Sequence, residues 1–149
     1  MFEPLTPQNA LACYAIHAEV QYKPWSKAVF MDCLSPPYFA FQYLKSQQLQ
    51  GYYVAMQVLD EVTLMDIAVS PRLQGLGIGR HILTSFIEQC HVRQAADIWL
   101  EVRESNAAAK QLYTSAGFTV IEKRRAYYQT ESGNEAAIIM KLNLSDNLN

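Results

Sequence analysis

The sequence has little cysteine, little charge and no long apolar run, and each shortage narrows what the chain can be. Cys13, Cys33 and Cys90 are its three cysteines. An odd count with no CxxC spacing argues against a disulfide framework or a zinc site. Free thiols of this kind fit a reducing compartment, so a cytoplasmic location is expected. Charged residues make up 17% of the chain and leave a net charge of −2. That balance gives no electrostatic footprint for nucleic acid, and no direct nucleic-acid contact is expected. No apolar stretch approaches the ~20 residues of a membrane span. Met1-Phe2-Glu3-Pro4 has neither the basic nor the apolar region of a signal peptide, so neither export nor membrane association is expected. His17, His81 and His91 show no metal-ligand spacing. Each reads as a surface or helix-face residue, and no metal is expected. Internal repeats, linkers and low-complexity tracts are absent as well.

What is present fits one globular domain over 1–149. Half of the 149 residues are hydrophobic, and a chain of this length can bury a core of its own. Thr6-Pro7 is a helix start, a capping hydroxyl followed by proline at the first helical position. Leu11, Tyr14, Ala15 and Ala18 can share one face of that helix. Tyr22 to Ser26 interrupts it, and Ser26 caps a short second helix reaching about Cys33. Tyr38 to Leu44, Gly51 to Leu59 and Val62 to Val69 read as strands of a meander. Gly77 to Arg93 reads as a helix with Ile78, Ile82, Phe86 and Cys90 on one face. Ala96 to Arg103 is a strand. Asn106 to Ala116 is a helix, stopped by Gly117. Val120 to Tyr128 and Ala136 to Leu142 are strands joined by a turn at Glu131 to Asn134. Residues 143–149 read as a frayed tail. The order gives the α/β class (α+β in some schemes) with one mixed sheet.

The densest signal is Gln74-Gly75-Leu76-Gly77-Ile78-Gly79-Arg80, between a buried strand and a helix. Glycine lets backbone approach a ligand without a Cβ in the way. The free N–H groups of a helix start then favour an anion. A P-loop needs Gly-Lys-Ser/Thr, which Gly79-Arg80-His81 lacks. A dinucleotide fingerprint needs GxGxxG, and Arg80 stands at its third glycine. Asp97 and Glu101 lie near the distance at which that fingerprint expects an acid, so it is weakened but not removed. An ordinary tight turn is the plain alternative.

Gln74, Gly77 and Gly79 match, position by position, the pyrophosphate loop of the GNAT N-acetyltransferase superfamily, Gln/Arg-x-x-Gly-x-Gly/Ala. Three further runs follow: Trp99-Leu100-Glu101-Val102-Arg103, Ser105-Asn106-Ala107-Ala108-Ala109, and Leu112-Tyr113-x-x-x-Gly117-Phe118. With Pro24-Trp25-Ser26, Arg124-Arg125-x-Tyr127-Tyr128 and Ala137-Ile138-Ile139-Met140, the chain resembles the bacterial ribosomal-protein-alanine N-acetyltransferases, the RimI type. The likeness covers about residues 5–142 and is densest from Asp60 to Met140. It departs at Gln129, where the family usually has proline, and at Ala136, where an acidic residue is common. Both departures lie on the last hairpin, where the resemblance implies peptide contact.

The resemblance implies a GNAT fold: a single mixed, mostly antiparallel sheet flanked by about four helices. It implies acetyl-CoA as co-substrate, with pyrophosphate on the backbone of Gly75, Leu76, Gly77, Ile78, Gly79 and Arg80 after Gln74. The arginine side chain either adds a charge-assisted contact or faces solvent. The amide-rich pantetheine arm would pair with Ile67, Ala68 and Val69, and a backbone N–H near Ile67 or Val69 would serve as oxyanion donor. By residue chemistry alone these three can equally be plain core strand. Glu101 aligns with the family's general base, and burial among Ile98, Trp99, Leu100 and Val102 would raise its pKa. Its other reading is a strand-end carboxylate paired with Arg103 or another cation. Tyr113 is the acid that protonates the CoA thiolate in the resemblance, and a core aromatic otherwise. Asn106 is a helix cap, a partner of the CoA arm, or both. Tyr22, Trp25, Tyr127 and Tyr128 are candidates to line the peptide cleft, with hydrophobic packing the other reading for each.

The implied acceptor is the N-terminal alanine of the eighteenth protein of the small ribosomal subunit, attacked directly in a ternary complex by a monomeric enzyme. Magnitudes agree with an α-amine. Its pKa near 8 leaves about a tenth neutral at neutral pH, against about one lysine in 2,500, a difference of ~3 kcal/mol. The alternatives are acetylation of another amine (lysine, small amine or antibiotic) and a sensor that binds acyl-CoA without turnover.

Overall fold

The computed structural model describes residues 1–130 and 133–145, with backbone only for 126–130 and for 133 and 134. Elements follow in the order β1 (Phe2–Pro4), α1 (Ala10–Val20), α2 (Lys27–Asp32), β2 (Tyr38–Lys45), β3 (Gln48–Val58), β4 (Glu61–Val69), α3 (Ile78–Val92), β5 (Asp97–Arg103), α4 (Ala107–Ser115), β6 (Thr119–Thr130) and β7 (Gly133–Asn143). The strands form a 7-stranded sheet in the order β1-β2-β3-β4-β5-β7-β6. β4 and β5 run parallel, and the other neighbours are antiparallel. This is the mixed, mostly antiparallel sheet that the resemblance implies.

Local chemistry explains most of the elements. Thr6 and Asn9 exchange two capping bonds, Thr6 N–H to Asn9 Oδ1 at 2.8 Å and Asn9 N–H to Thr6 Oγ1 at 3.3 Å. They form the reciprocal box that starts helices, and regular helix runs from Ala10. Ser26 Oγ accepts the Val29 N–H and caps α2, as expected. α4 ends before Gly117, whose φ of 106° is the left-handed geometry that favours glycine.

Three expectations need correction. β7 reaches Asn143, and Leu144 is buried in the core with its N–H on the Ala96 carbonyl at 2.8 Å, so the expected frayed tail does not begin at 143. The buried face of α1 is Ala10, Cys13, Ile16 and His17, whereas Leu11 of the expected face is 49% exposed. The helix is apolar almost all round, so its own pattern does not choose a stripe. β1 was not foreseen, because three residues ending in proline carry no strand signal. It is placed by Phe2 stacking on Tyr43, ring centroids 4.8 Å apart, and by the Leu44 N–H bonding Met1 O.

The sheet carries a core on each face. Ile82, Leu83, Phe86 and Cys90 of α3 pack with Tyr53, Val62, Leu64, Ile98, Leu100 and Met140. Cys13, Ile16 and Phe30 pack on the other face with Ala40, Tyr52, Val54 and Ala68. β3 serves both layers, so it reads as a continuous apolar run and not as an alternating strand.

One irregularity positions everything that follows. β3 and β4 pair as Val54 with Asp66 and Ala55 with Leu64, so Met65 is an extra residue. Such a bulge reverses which face the following side chains take. Val62 and Leu64 enter the α3 core, while Ala68 belongs to the α1 side. At the same point β4 leaves β5, since their parallel pairing ends at Leu64 with Leu100. The edge of Met65–Val69 that faces away from β3 has no strand partner among the described residues.

Candidate active site

The free edge of β4 leads straight into the glycine loop. After a 3-10 turn at Pro71–Leu73, Gln74 is extended, and Gly77 forms the start of α3. Gly75 and Gly77 have φ of 81° and 82°, which L side chains rarely adopt. A Cβ on either would meet nothing within 4 Å, so the space above the loop is open to a ligand. α3 has no side-chain cap, whereas Ser26 caps α2 and Asn106 caps α4. Its first N–H groups are therefore not taken by a side chain, the condition for an anion seat. Arg80 is exposed on the first turn of α3. The loop fits a pyrophosphate.

Strand end, loop and α4 converge. A Cβ at Gly79 would lie 3.7 Å from Val69 Cγ2 and 3.8 Å from Leu112 Cδ2, ordinary contact distances. Leu112 is the residue before Tyr113, so α4 stands beside both the free edge and the helix start. Tyr113 is buried, its ring 5.9 Å from that of Phe118. Asn106 Oδ1 accepts the Ala109 N–H at 3.1 Å. Capping engages the oxygen and leaves the Nδ2 donor for other work.

Glu101 is the first residue of β5 beyond its last pair with β4, at the point where the strands part. Its apolar neighbours Leu100 and Val102 are buried in the α3 core, so alternation sends Glu101 to the opposite face. The expected burial is thus corrected: the side chain is 35% exposed, and its cation is Arg124 of β6, Nη1 to Oε1 3.6 Å, not Arg103.

A family model described as "Acetyltransferase (GNAT) family" matches residues 8–118. The chain belongs to that family.

Within it, this GNAT chain is 42% identical over 134 residues to the ribosomal protein bS18-alanine N-acetyltransferase of Escherichia coli K12, covering 90% of each. The crystal structure of the ribosomal-protein-S18-alanine N-acetyltransferase from Escherichia coli superposes with a TM-score of 0.92 at 39% identity, over 96% of this chain and 92% of that one. Arabidopsis thaliana NAA60 in complex with acetyl-CoA shares the fold, with a TM-score of 0.84 at 13% identity, over 97% and 98%.

In the α1–α2 loop Tyr22 is exposed and Trp25 is half-buried. The side chains of Tyr127 and Tyr128 lie outside the described residues. Three residues escaped the sequence reading. Gly51 faces the end of β4: a Cβ there would fall 2.3 Å from the Ala68 carbonyl oxygen and 2.7 Å from Ile82 Cδ1. His17, read as a surface or helix-face residue, is 2% exposed, and its Nδ1 lies 2.8 Å from Asp66 Oδ2. Asp66 is buried on the α1 side and also accepts the Tyr52 hydroxyl at 2.6 Å. A carboxylate inside the apolar run Leu64 to Val69 was the visible signal, since an unpartnered buried charge is costly. Burial, and then Asp66, pushes the Tyr52 phenol far above its ordinary range, which keeps it a donor. Among the described residues no group of His, Cys, Asp and Glu is placed to hold a metal, and no helix is long and apolar enough to cross a membrane.

Proposed function

We propose that this chain transfers the acetyl group of acetyl-CoA to the α-amino group of an N-terminal alanine, that of ribosomal protein bS18. The observation that carries the reading is the convergence of three parts at the parting of β4 and β5. These are a free strand edge, an uncapped helix start with room above its glycines, and Glu101 on the open face. The relatives' substrate supplies the acceptor.

Acetyl-CoA, when bound, supplies a thioester whose carbonyl carbon accepts the amine. The backbone amides of Gly75 to Arg80 hold its pyrophosphate. The edge of Ile67, Ala68 and Val69 pairs with the pantetheine amides, and an N–H at Ile67 or Val69 faces the carbonyl oxygen as negative charge develops there. Glu101, directly or through one water, receives the proton that the α-ammonium must lose. As the N–C bond forms and the C–S bond breaks, Tyr113 gives its proton to the departing sulfur, and the second proton, shed by the nitrogen as it becomes an amide, returns the tyrosine to its phenol form through solvent. An exposed carboxylate is a modest base, which suits an α-amine better than a lysine because far more of the α-amine is already neutral. No step is assigned to a metal, to RNA or to a second subunit.

The test is free CoA release with two basic peptides, one beginning with alanine and one blocked at its N-terminus but containing lysine. Turnover confined to the free alanine peptide supports the reading. Equal turnover of both replaces it with a broad or lysine-directed enzyme. Tight acetyl-CoA binding with no turnover of either leaves a different acceptor or a sensor.

A further inference from the structure

The buried histidine of α1 does not serve its own helix. The Trp25 backbone N–H donates to His17 Nε2 at 2.9 Å. A nitrogen that accepts an N–H carries no proton, so the ring is neutral with its proton on Nδ1, and Nδ1–H donates to Asp66 Oδ2. Asp66 Oδ1 lies 3.4 Å from Gln21 Nε2. Tyr14, one turn before His17, donates its hydroxyl to the Trp25 carbonyl at 2.9 Å. Both backbone polar groups of Trp25 are thus held by α1, and the rings of His17 and Trp25 lie 4.8 Å apart. At the other end, Asp66 immediately follows the Met65 bulge and precedes Ile67.

Packing alone could seat α1, since Cys13 and Ile16 already pack against Phe30 and Tyr52. A buried polar network is weak evidence for stability, and the best-attested use of buried polar groups is to fix register. Here the register is between the 21–25 loop and the free edge of β4.

We propose that His17, oriented by Asp66, and Tyr14 are positioning residues for the acceptor peptide, holding the Trp25 loop at a fixed place relative to the strand that receives the acyl group. This rests on the reading of Trp25 as an acceptor-side residue. The acyl-CoA side is held by other residues, so disturbing the clamp changes the peptide's KM and leaves that of acetyl-CoA alone.

The test uses His17→Leu, His17→Gln and Tyr14→Phe in the full chain. His17→Leu removes the acceptor for Trp25. His17→Gln supplies a carbonyl oxygen that can replace it. Tyr14→Phe deletes one hydroxyl from a half-buried ring and keeps the fold. Losing one hydrogen bond of ordinary worth corresponds to about two- to tenfold. The expected results are a peptide KM raised about tenfold in His17→Leu and about threefold in Tyr14→Phe. In both, kcat and the KM for acetyl-CoA stay within about twofold of wild type, and His17→Gln lies nearer to wild type than His17→Leu does. Hydrogen exchange of the Trp25 amide, read without any substrate, rises in His17→Leu and less in His17→Gln. An unchanged peptide KM in Tyr14→Phe and His17→Gln together with unchanged exchange overturns the proposal, even if His17→Leu fails to fold. So does a fall in kcat alone. A wild-type enzyme that ignores alanine peptides defeats the functional reading instead, and the exchange arm still decides whether the clamp exists.

Discussion

Gly51 on β3 and Ala68 on β4 approach so closely that a methyl group on the glycine would sit 2.3 Å from the Ala68 carbonyl oxygen. The backbone of Gly51 is not in the left-handed region, so its identity is set by that contact and by Ile82 behind it. The glycine therefore lets the end of β4 lie close to both β3 and α3, and the free edge takes its position from this fit.

Gly51→Ala is expected to cost ~1–3 kcal/mol, the range for forcing extra volume into a packed region. Because the displaced atom is a backbone carbonyl of the edge itself, acetyl-CoA binding should weaken as well. Urea denaturation and titration calorimetry read the two effects. A variant that loses stability but keeps full affinity would uncouple Gly51 from the edge.

The glycine loop offers a contrast between two neighbours. Gly77 needs its φ of 82°, and open space lies where its Cβ would be. Gly77→Ala should lose ~1 kcal/mol of stability from backbone strain but at least tenfold in acetyl-CoA affinity. Gly79 has no positive φ, and its Cβ would make only ordinary contacts, so Gly79→Ala should be much milder in both. Equal affinities for the two variants would remove Gly77 from the pyrophosphate seat.

Glu101→Gln should lower kcat/KM about 100-fold, the lower end for removing a general base, and flatten the acid limb of the pH–rate profile. Tyr113→Phe should lower kcat by a similar factor with the acetyl-CoA dissociation constant unchanged. Steady-state kinetics from acid to alkaline pH with direct binding separate these outcomes. Collapse of affinity in Tyr113→Phe would make the residue one of packing or binding.

The buried thiols and phenols make stability fall on the alkaline side. Burial pushes Cys13 and Cys90 up to about 12, and it also raises Tyr53 and Tyr52. In the unfolded chain such groups ionise near ~8.5 for cysteine and ~10 for tyrosine. Above those values the folded state holds more protons than the unfolded one, so stability declines as pH rises. Below about pH 8 the whole contribution is present. The urea midpoint should drop between neutral pH and about pH 10, and Cys13 and Cys90 should resist alkylation at neutral pH until the protein unfolds.

What the sequence made legible was local in character. Ser26, Asn106 and Gly117 announce helix ends through their own chemistry, and the glycine loop announces an anion seat through spacing. The order of elements gives the class and a single mixed sheet, and the mostly antiparallel layout comes with the family resemblance. Features set by tertiary contact were not legible. The exposure of Glu101 is hidden in the sequence because a strand's neighbours face the other way, and Leu100 and Val102 say little about it. The buried face of α1 is hidden because apolar residues surround the helix. Gly51 and His17 gain their meaning from Ala68 and Trp25, both distant in the chain or set by a loop. The roles assigned to Glu101 and Tyr113 come from the family resemblance, because a strand carboxylate and a helical tyrosine carry no such signal by themselves.

The extra residue at Met65 makes β4 sensitive to length. A strand of the same length paired without the bulge would turn Asp66 toward the α3 core and Ile67 toward α1, and the carboxylate would lose His17 and Tyr52. Deleting Met65 itself keeps every pair: Leu64 stays opposite Ala55, Asp66 opposite Val54, and simple alternation holds Asp66 on the α1 side. Deleting Ile67 instead would turn Ala68 toward α3 and move the free edge by one position against Glu101. Loss of Met65 should therefore be tolerated far better than loss of its neighbour Ile67.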